Sequence, residues 1–309
     1  MVGAAPGARL LLVGGSGGLV GRALLPELVG EYDVRSIHRH AVTAEATAGI
    51  AWIPADVGGI AEWGPIVRDV DVVVNLAWHR WGNATRFRRL QAGLSRLVVA
   101  SRASGVRRFV HVSVPEAPPR LEARLPYLAY KRRFDGELAR SGLSFRIVRP
   151  TMLYGTGDRL LSVLLRLIDR YGLLPMFGDG SYHVSPLAAS DLAEIIRRES
   201  AGSSTGTIDV GGPERWRYRD LTDLAFRVVG RTPRYVRLGP RASVAFAQLV
   251  QDLGSTLLYA YEVEWLLSDR LGLPPYEGLD RPMLRVEPFL RAEIARRRSR
   301  GRDRDTATG

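Results

Sequence analysis

The chain has no cysteine, and only one of its 44 basic side chains is a lysine. Without thiols there can be no disulfide, no thiolate nucleophile and no Cys-ligated metal. A cytoplasmic setting is expected, in keeping with that absence. No run of about 18 apolar residues occurs, so a membrane-spanning helix is not expected. The nearest case, 242–267, is interrupted by Gln248, Gln251, Asp252, Glu262 and Glu264, and Gly254 is expected to split it into two helices. The first apolar run, 10–13, enters a glycine cluster rather than a cleavage site, so no leader is read there. The five histidines are scattered without acidic clustering, and no metal site is expected. Gly-x-Ser-x-Gly is absent, so no hydrolase triad can be argued.

Acidic residues are also in short supply, 32 against 44 basic ones, for a formal charge of +12. Arginine is spread along the chain, so this charge is not a nucleic-acid signature, and nucleic acid is not an expected partner. The exception is the end of the chain. Residues 291–309 read as a basic, solvated, disordered tail, a candidate contact for a membrane surface or a protein complex.

The one lysine, Lys131, follows Tyr127 by four residues. On a helix that spacing puts both on one face. Everywhere else the composition uses arginine, so this position calls for a compact ammonium rather than a planar guanidinium fork. A cation beside a phenol lowers its pKa from about 10. The pair reads as a general acid/base with its activator.

The first half alternates short, β-branched strands (9–13, 33–37, 50–53, 71–75, 107–113, 144–148) with helices (18–29, 83–104, 127–140). That alternation means α/β, a doubly wound parallel sheet covered on both faces. Beyond Pro150 the regularity falls. Helices are expected near 159–171, 190–199, 219–229, 241–253 and 258–269, with short strands near 184–187, 206–210 and 234–237. The expected organisation is a dinucleotide-binding domain of the Rossmann type over 8–150 and a smaller, interleaved substrate lobe over 151–290.

A glycine loop joins the first strand to the first helix. Gly15, Gly18 and Gly21 give a G-x-x-G-x-x-G spacing, with Ser16, Gly17, Leu19 and Val20 between them. The first turn must be tight, the backbone must approach a pyrophosphate, and the helix N-terminus supplies donors and positive dipole. A purely structural turn is the alternative, which the strand before and helix after the loop disfavour. At the end of the second strand, where an NAD fold places an acid on the ribose, the chain reads Ile37-His38-Arg39-His40. Arg39 suits a 2′-phosphate, so NADP(H) is preferred over NAD(H); otherwise it is one more surface arginine.

The glycine loop, Ala55-Asp56-Val57, Asn75-Leu76-Ala77, Ser113 and Tyr127-x-x-x-Lys131 occur in order. With 145–155, 177–180 and 190–193 they resemble the extended or atypical branch of the short-chain dehydrogenase/reductase superfamily. Within it the chain is similar to the NAD(P)-dependent epimerase/dehydratase and NmrA-like groups and to the accessory subunit of respiratory complex I. The resemblance implies that Asp56 and Val57 meet the adenine, and that Leu76 and Ala77 line the dinucleotide path. It implies that Lys131 holds the nicotinamide ribose, Tyr127 moves a proton, Ser113 polarises the substrate oxygen, and Pro150 borders the nicotinamide. The activity implied is hydride transfer to or from a small carbonyl, hydroxyl or sugar-nucleotide-like substrate; the alternative is a non-catalytic NAD(P)(H)-binding regulator or respiratory-chain accessory subunit. A homodimer is a candidate state. Trp78, His79 and Trp81 follow the fourth strand and either wall the substrate or cover the lobe junction. His183 either faces the cleft or is a satisfied loop histidine.

Overall fold

The computed structural model describes residues 7–39, 49–79, 82–158, 160–254 and 259–306. The chain divides into two compact units, 1–150 with 189–209, and 151–188 with 210–309.

The first unit is a sheet built from β1 (Arg9–Val13), β2 (Asp33–His38), β3 (Ile50–Pro54), β4 (Val72–Asn75), β5 (Arg108–Val112) and β6 (Phe145–Pro150). With the strand Gly206–Val210 at one edge, the spatial order is Gly206–Val210, β6, β5, β4, β1, β2, β3. β1 to β6 all pair in parallel; Leu10 of β1, for example, lies between Val34 and Val72. β1 and β4 are fully or nearly fully apolar because both faces are covered. Leu11, Val13 and Val73 face the core shared with α3 (Ala84–Ala103) and α5 (Pro126–Ala139), through Leu94, Leu97 and Phe134. By strand alternation Leu10 and Leu12 face the other side, where α1 (Leu19–Val29) lies against the helix Ala189–Ala201. The order of strands reverses between β1 and β4. Sheets of this kind open a crevice at the carboxyl ends of the strands at such a point.

Local chemistry sets the helix ends. Asn83 caps α3, its side chain accepting from the Arg86 amide at 2.9 Å. α5 opens with Pro126 in its first turn, which suits a position lacking an N–H partner. The short helices α2 (Gly64–Val67) and α4 (Pro119–Arg124) were not expected, since each is a single proline-initiated turn or two inside a loop sequence.

The second unit has its own core around Leu165, Ile168, Phe226, Val263 and Leu290. Its helices are Leu161–Tyr171, Tyr218–Val229, Pro240–Asp252, Ala260–Leu267 and Val286–Thr306. Gly254, at φ +85°, lies just beyond Pro240–Asp252, in the stretch where a break was expected. The last helix departs from the disordered tail expected over 291–309. Val286, Leu290 and Ile294 recur every four residues and are buried, while Arg291, Arg296 and Arg297 pair with Glu287 and Glu293. An arginine-rich composition masked that apolar stripe. Among the described residues, no helix is long and apolar enough to cross a membrane.

Candidate active site

The turn after β1 fits its glycines closely. Gly14 and Gly15 adopt φ of +65° and +71°, in the left-handed region that glycine tolerates. A Cβ on Gly15 would stand 2.6 Å from that of Leu76, and one on Gly14 2.8 Å from that of Ala77. The loop after β4 is thus pressed directly on the turn. At Gly21 a Cβ would fall 2.2 Å from the Gly15 carbonyl oxygen, so the first turn of α1 needs bare backbone there. Gly18 is the N-cap and no side chain caps the helix, leaving its first amides directed out of the helix end. Ser16 is buried, its hydroxyl 2.7 Å from Nδ1 of His38 at the end of β2.

A cleft of about 450 Å³ opens beside this turn. Gly15, Gly17 and Gly18 line it from the turn; His38 comes from the end of β2 and Arg39 from just beyond it, Asp56 and Val57 from the loop after β3, and Ala77, Trp78 and His79 from the loop after β4. His79 is half-buried and its pKa falls from 6.5 to about 4, through burial first and then the guanidinium groups of Arg86 and Arg39, with Asp56 opposing. His79 is therefore neutral at neutral pH. Asp56 is paired with Arg89 at 3.2 Å. Val57 lies under α3, where Gly93 has no room for a side chain: a Cβ there would be 2.2 Å from the Val57 oxygen.

Tyr127 and Lys131 both lie on α5. Lys131 is only 4% exposed, with its ammonium 4.7 Å from the centre of the Trp78 ring. Burial lowers its pKa from 10.5 to about 7; Asp135 opposes the shift and Arg132 adds to it. Tyr127 packs edge-on against Phe87, which also stacks with Trp78 and Tyr130.

A family model described as NAD(P)H-binding matches residues 14–164, which span this turn, cleft and helix pair. The fold is similar to that of a nucleoside-diphosphate-sugar epimerase from Staphylococcus aureus, with a TM-score of 0.72 and 13% identity over 92% of this chain and 99% of the other. It is also similar to an NADPH-dependent quinone oxidoreductase from Escherichia coli, solved with NADPH, with a TM-score of 0.71 and 16% identity over 91% and 98%. The matched segment is thus similar to NAD(P)H-binding proteins, and the fold is the one expected from the resemblance to the short-chain dehydrogenase/reductase superfamily. In sequence it is 29% identical over 144 residues to NADH dehydrogenase [ubiquinone] 1 alpha subcomplex subunit 9, mitochondrial, of Arabidopsis thaliana, covering 46% of this chain and 35% of that protein. It is 28% identical over 197 residues to the 2-alkyl-3-oxoalkanoate reductase of Stenotrophomonas maltophilia, covering 56% and 60%. The chain thus spans only between about a third and three-fifths of these curated relatives.

Ser113, the residue that resemblance to this superfamily places on the substrate oxygen, is engaged elsewhere. Its hydroxyl donates to Oδ2 of Asp135 at 2.8 Å, and both residues are buried. Arg132 donates to the same carboxylate oxygen at 2.8 Å. On its other side Oδ1 of Asp135 is 3.4 Å from Nε2 of His111. Nδ1 of His111 is 3.0 Å from Nδ2 of Asn75, and Oδ1 of Asn75 accepts from the Ala77 amide at 2.9 Å. The Ala77 bond fixes the Asn75 amide, so its NH₂ donates to Nδ1 and the His111 proton sits on Nε2, facing Asp135. Burial pushes the His111 pKa down, and Asp135 only partly restores it. For Asp135, burial alone would raise the pKa. The nearby His111 ring, the Ser113 hydrogen bond and Arg132 outweigh it and hold the carboxyl below its usual value.

The remaining candidates divide as follows. Pro150 ends β6 and is buried. Leu19, Val20 and Gly21 form the first turn of α1. Trp81 lies outside the described residues. His183 belongs to the second unit, where its amide and Nδ1 both engage Asp269, at 2.6 and 3.2 Å. Sequence reasoning did not select His38, Asn75, His111 or Asp135. Their positions at or near strand ends, and the i, i+4 spacing of Lys131 and Asp135, were the signals available.

Proposed function

We propose that the cleft binds NADP(H) and that the protein is an oxidoreductase acting on a small hydroxyl, carbonyl or sugar-nucleotide-like compound. The glycine turn and the open end of α1 suit a pyrophosphate. The observation that carries the cofactor choice is at the end of β2: Arg39 lines the cleft, exposed, where an NAD-preferring fold has an acid. Arg86 adds a second guanidinium acting on the same corner, as the depressed His79 shows. Asp56 and Val57 would meet the adenine, Leu76 and Ala77 the dinucleotide path, and Pro150 the nicotinamide. When bound, the nicotinamide supplies hydride transfer. The chain's part is to hold the ribose through Lys131 and to exchange a proton with the substrate oxygen through Tyr127. Calorimetry with NADPH and NADH tests this reading. NADPH is expected to bind at least about tenfold more tightly, with the preference lost in Arg39→Glu; equal affinities in the native protein would defeat the cofactor choice.

A second reading is favoured by one observation. The Ser113 hydroxyl is directed at Asp135, away from the polarising role, and Val114 stands where many members carry a further hydroxyl. A nucleotide-binding accessory or regulatory protein would tolerate that. It would bind NADPH, show no absorbance change at the nicotinamide band with any carbonyl or sugar nucleotide, and be indifferent to Tyr127→Phe.

A further inference from the structure

α5 carries two buried charges one turn apart. Lys131 and Asp135 are each 4% exposed and occupy i and i+4 on the face that meets the sheet. Asp135 is the meeting point of groups from three elements: Ser113 and His111 from β5 and the loop after it, Arg132 from its own helix, and Arg149 of β6 at 3.7 Å. The two arginines have further partners, Glu122 for Arg132 and Glu116 for Arg149, each at 2.9 Å. Through His111 and Asn75 the same carboxylate is linked to the Ala77 amide, beside the glycine turn.

We propose that Asp135 is a positioning residue: this one carboxylate supplies the negative charge one turn from the buried Lys131 and holds the Ser113 hydroxyl as its donor. For its effect on nucleotide affinity, the proposal rests on the reading of the cleft as an NADP(H) site. An ammonium buried beneath Trp78 is disfavoured by desolvation, and an anion one turn away is what offsets it. Asp135 opposes the fall in the Lys131 pKa, while Arg132 adds to it. Removing the negative charge should therefore leave Lys131 neutral at lower pH. Ser113 changes character as well. With its hydrogen given to an ionised carboxylate, it meets a ligand through lone pairs only. It can accept from a substrate hydroxyl but gives nothing to a carbonyl oxygen, which points to an alcohol as the group seated at that position.

Lys131 is the only lysine, so ¹³C-lysine labelling of the full chain gives a single side-chain signal, and its shift against pH reads this ammonium directly. In Asp135→Asn the titration is expected about one pH unit or more below that of the native protein. The pH at which NADPH affinity fades, followed by calorimetry, should move down with it. An unmoved titration, or an affinity loss equal at every pH, would mean that Asp135 is only structural and would overturn the proposal. Should Asp135→Asn not fold, Arg132→Gln keeps the carboxylate and removes the opposing guanidinium. It is expected to raise the Lys131 titration, and no rise overturns the proposal equally. If NADPH fails to bind the native protein while the Lys131 shift behaves as expected, the nucleotide reading falls and the Lys131–Asp135 coupling stands.

Discussion

The charge of His79 is set by its burial first and then by its neighbours. Its folded pKa is depressed, to about 4, so between that value and 6.5 the unfolded chain binds the proton that the folded protein refuses. Stability should therefore fall as the pH drops through that window. Because His79 is only half-buried, solvent screening limits the effect to about 1 kcal/mol or less. Urea unfolding of the native protein and His79→Gln at pH 7.5 and 4.5 checks it. The native protein is expected to lose more stability on acidification, and parallel losses would contradict the local cause. Residues of this kind are hard to read from sequence. The lone lysine stood out by composition, and Tyr127 by its offset. The buried chain of Asp135, His111 and Asn75 draws on three elements, and its contacts leave no mark on any one segment.

At the scale of elements, the contact of α3 with the turn 57–59 is a close one that bears on the cleft. Gly93→Ala would ordinarily strengthen a helix by about 1 kcal/mol. Here the added carbon meets the Val57 carbonyl, and overpacking should reverse the sign, with a net loss of about 1–2 kcal/mol. Thermal melting should fall, and NADPH titration should show weaker binding as Val57 is displaced. A more stable variant would show that the turn yields freely. The strands, α1, α3 and α5 were legible because each has a strong local signal: apolar β-branched runs, the Asn83 cap, Pro126, and Gly105 and Gly142 after the helix ends. The strand Gly206–Val210 was legible as a strand but not as an edge of the main sheet, since that depends on pairing with β6 some sixty residues earlier in the chain.

For the whole molecule, the helix Val286–Thr306 alters what the end of the chain is for. Val286, Leu290 and Ile294 belong to the core of the second unit, together with Leu165 and Phe226. Deleting 286–309 should cost that unit about 1.5–3 kcal/mol for each buried side chain lost. Limited proteolysis should then cut between 210 and 285 far sooner than in the full chain; an unchanged digest would mean that the helix is dispensable. One last consequence follows from the lysine. The molecule's sole ε-amine is buried against an indole ring, so amine-directed crosslinkers meet no exposed lysine side chain among 309 residues. Its rate of acylation then becomes a clock for how often this region breathes open, with a bound nucleotide slowing the hand.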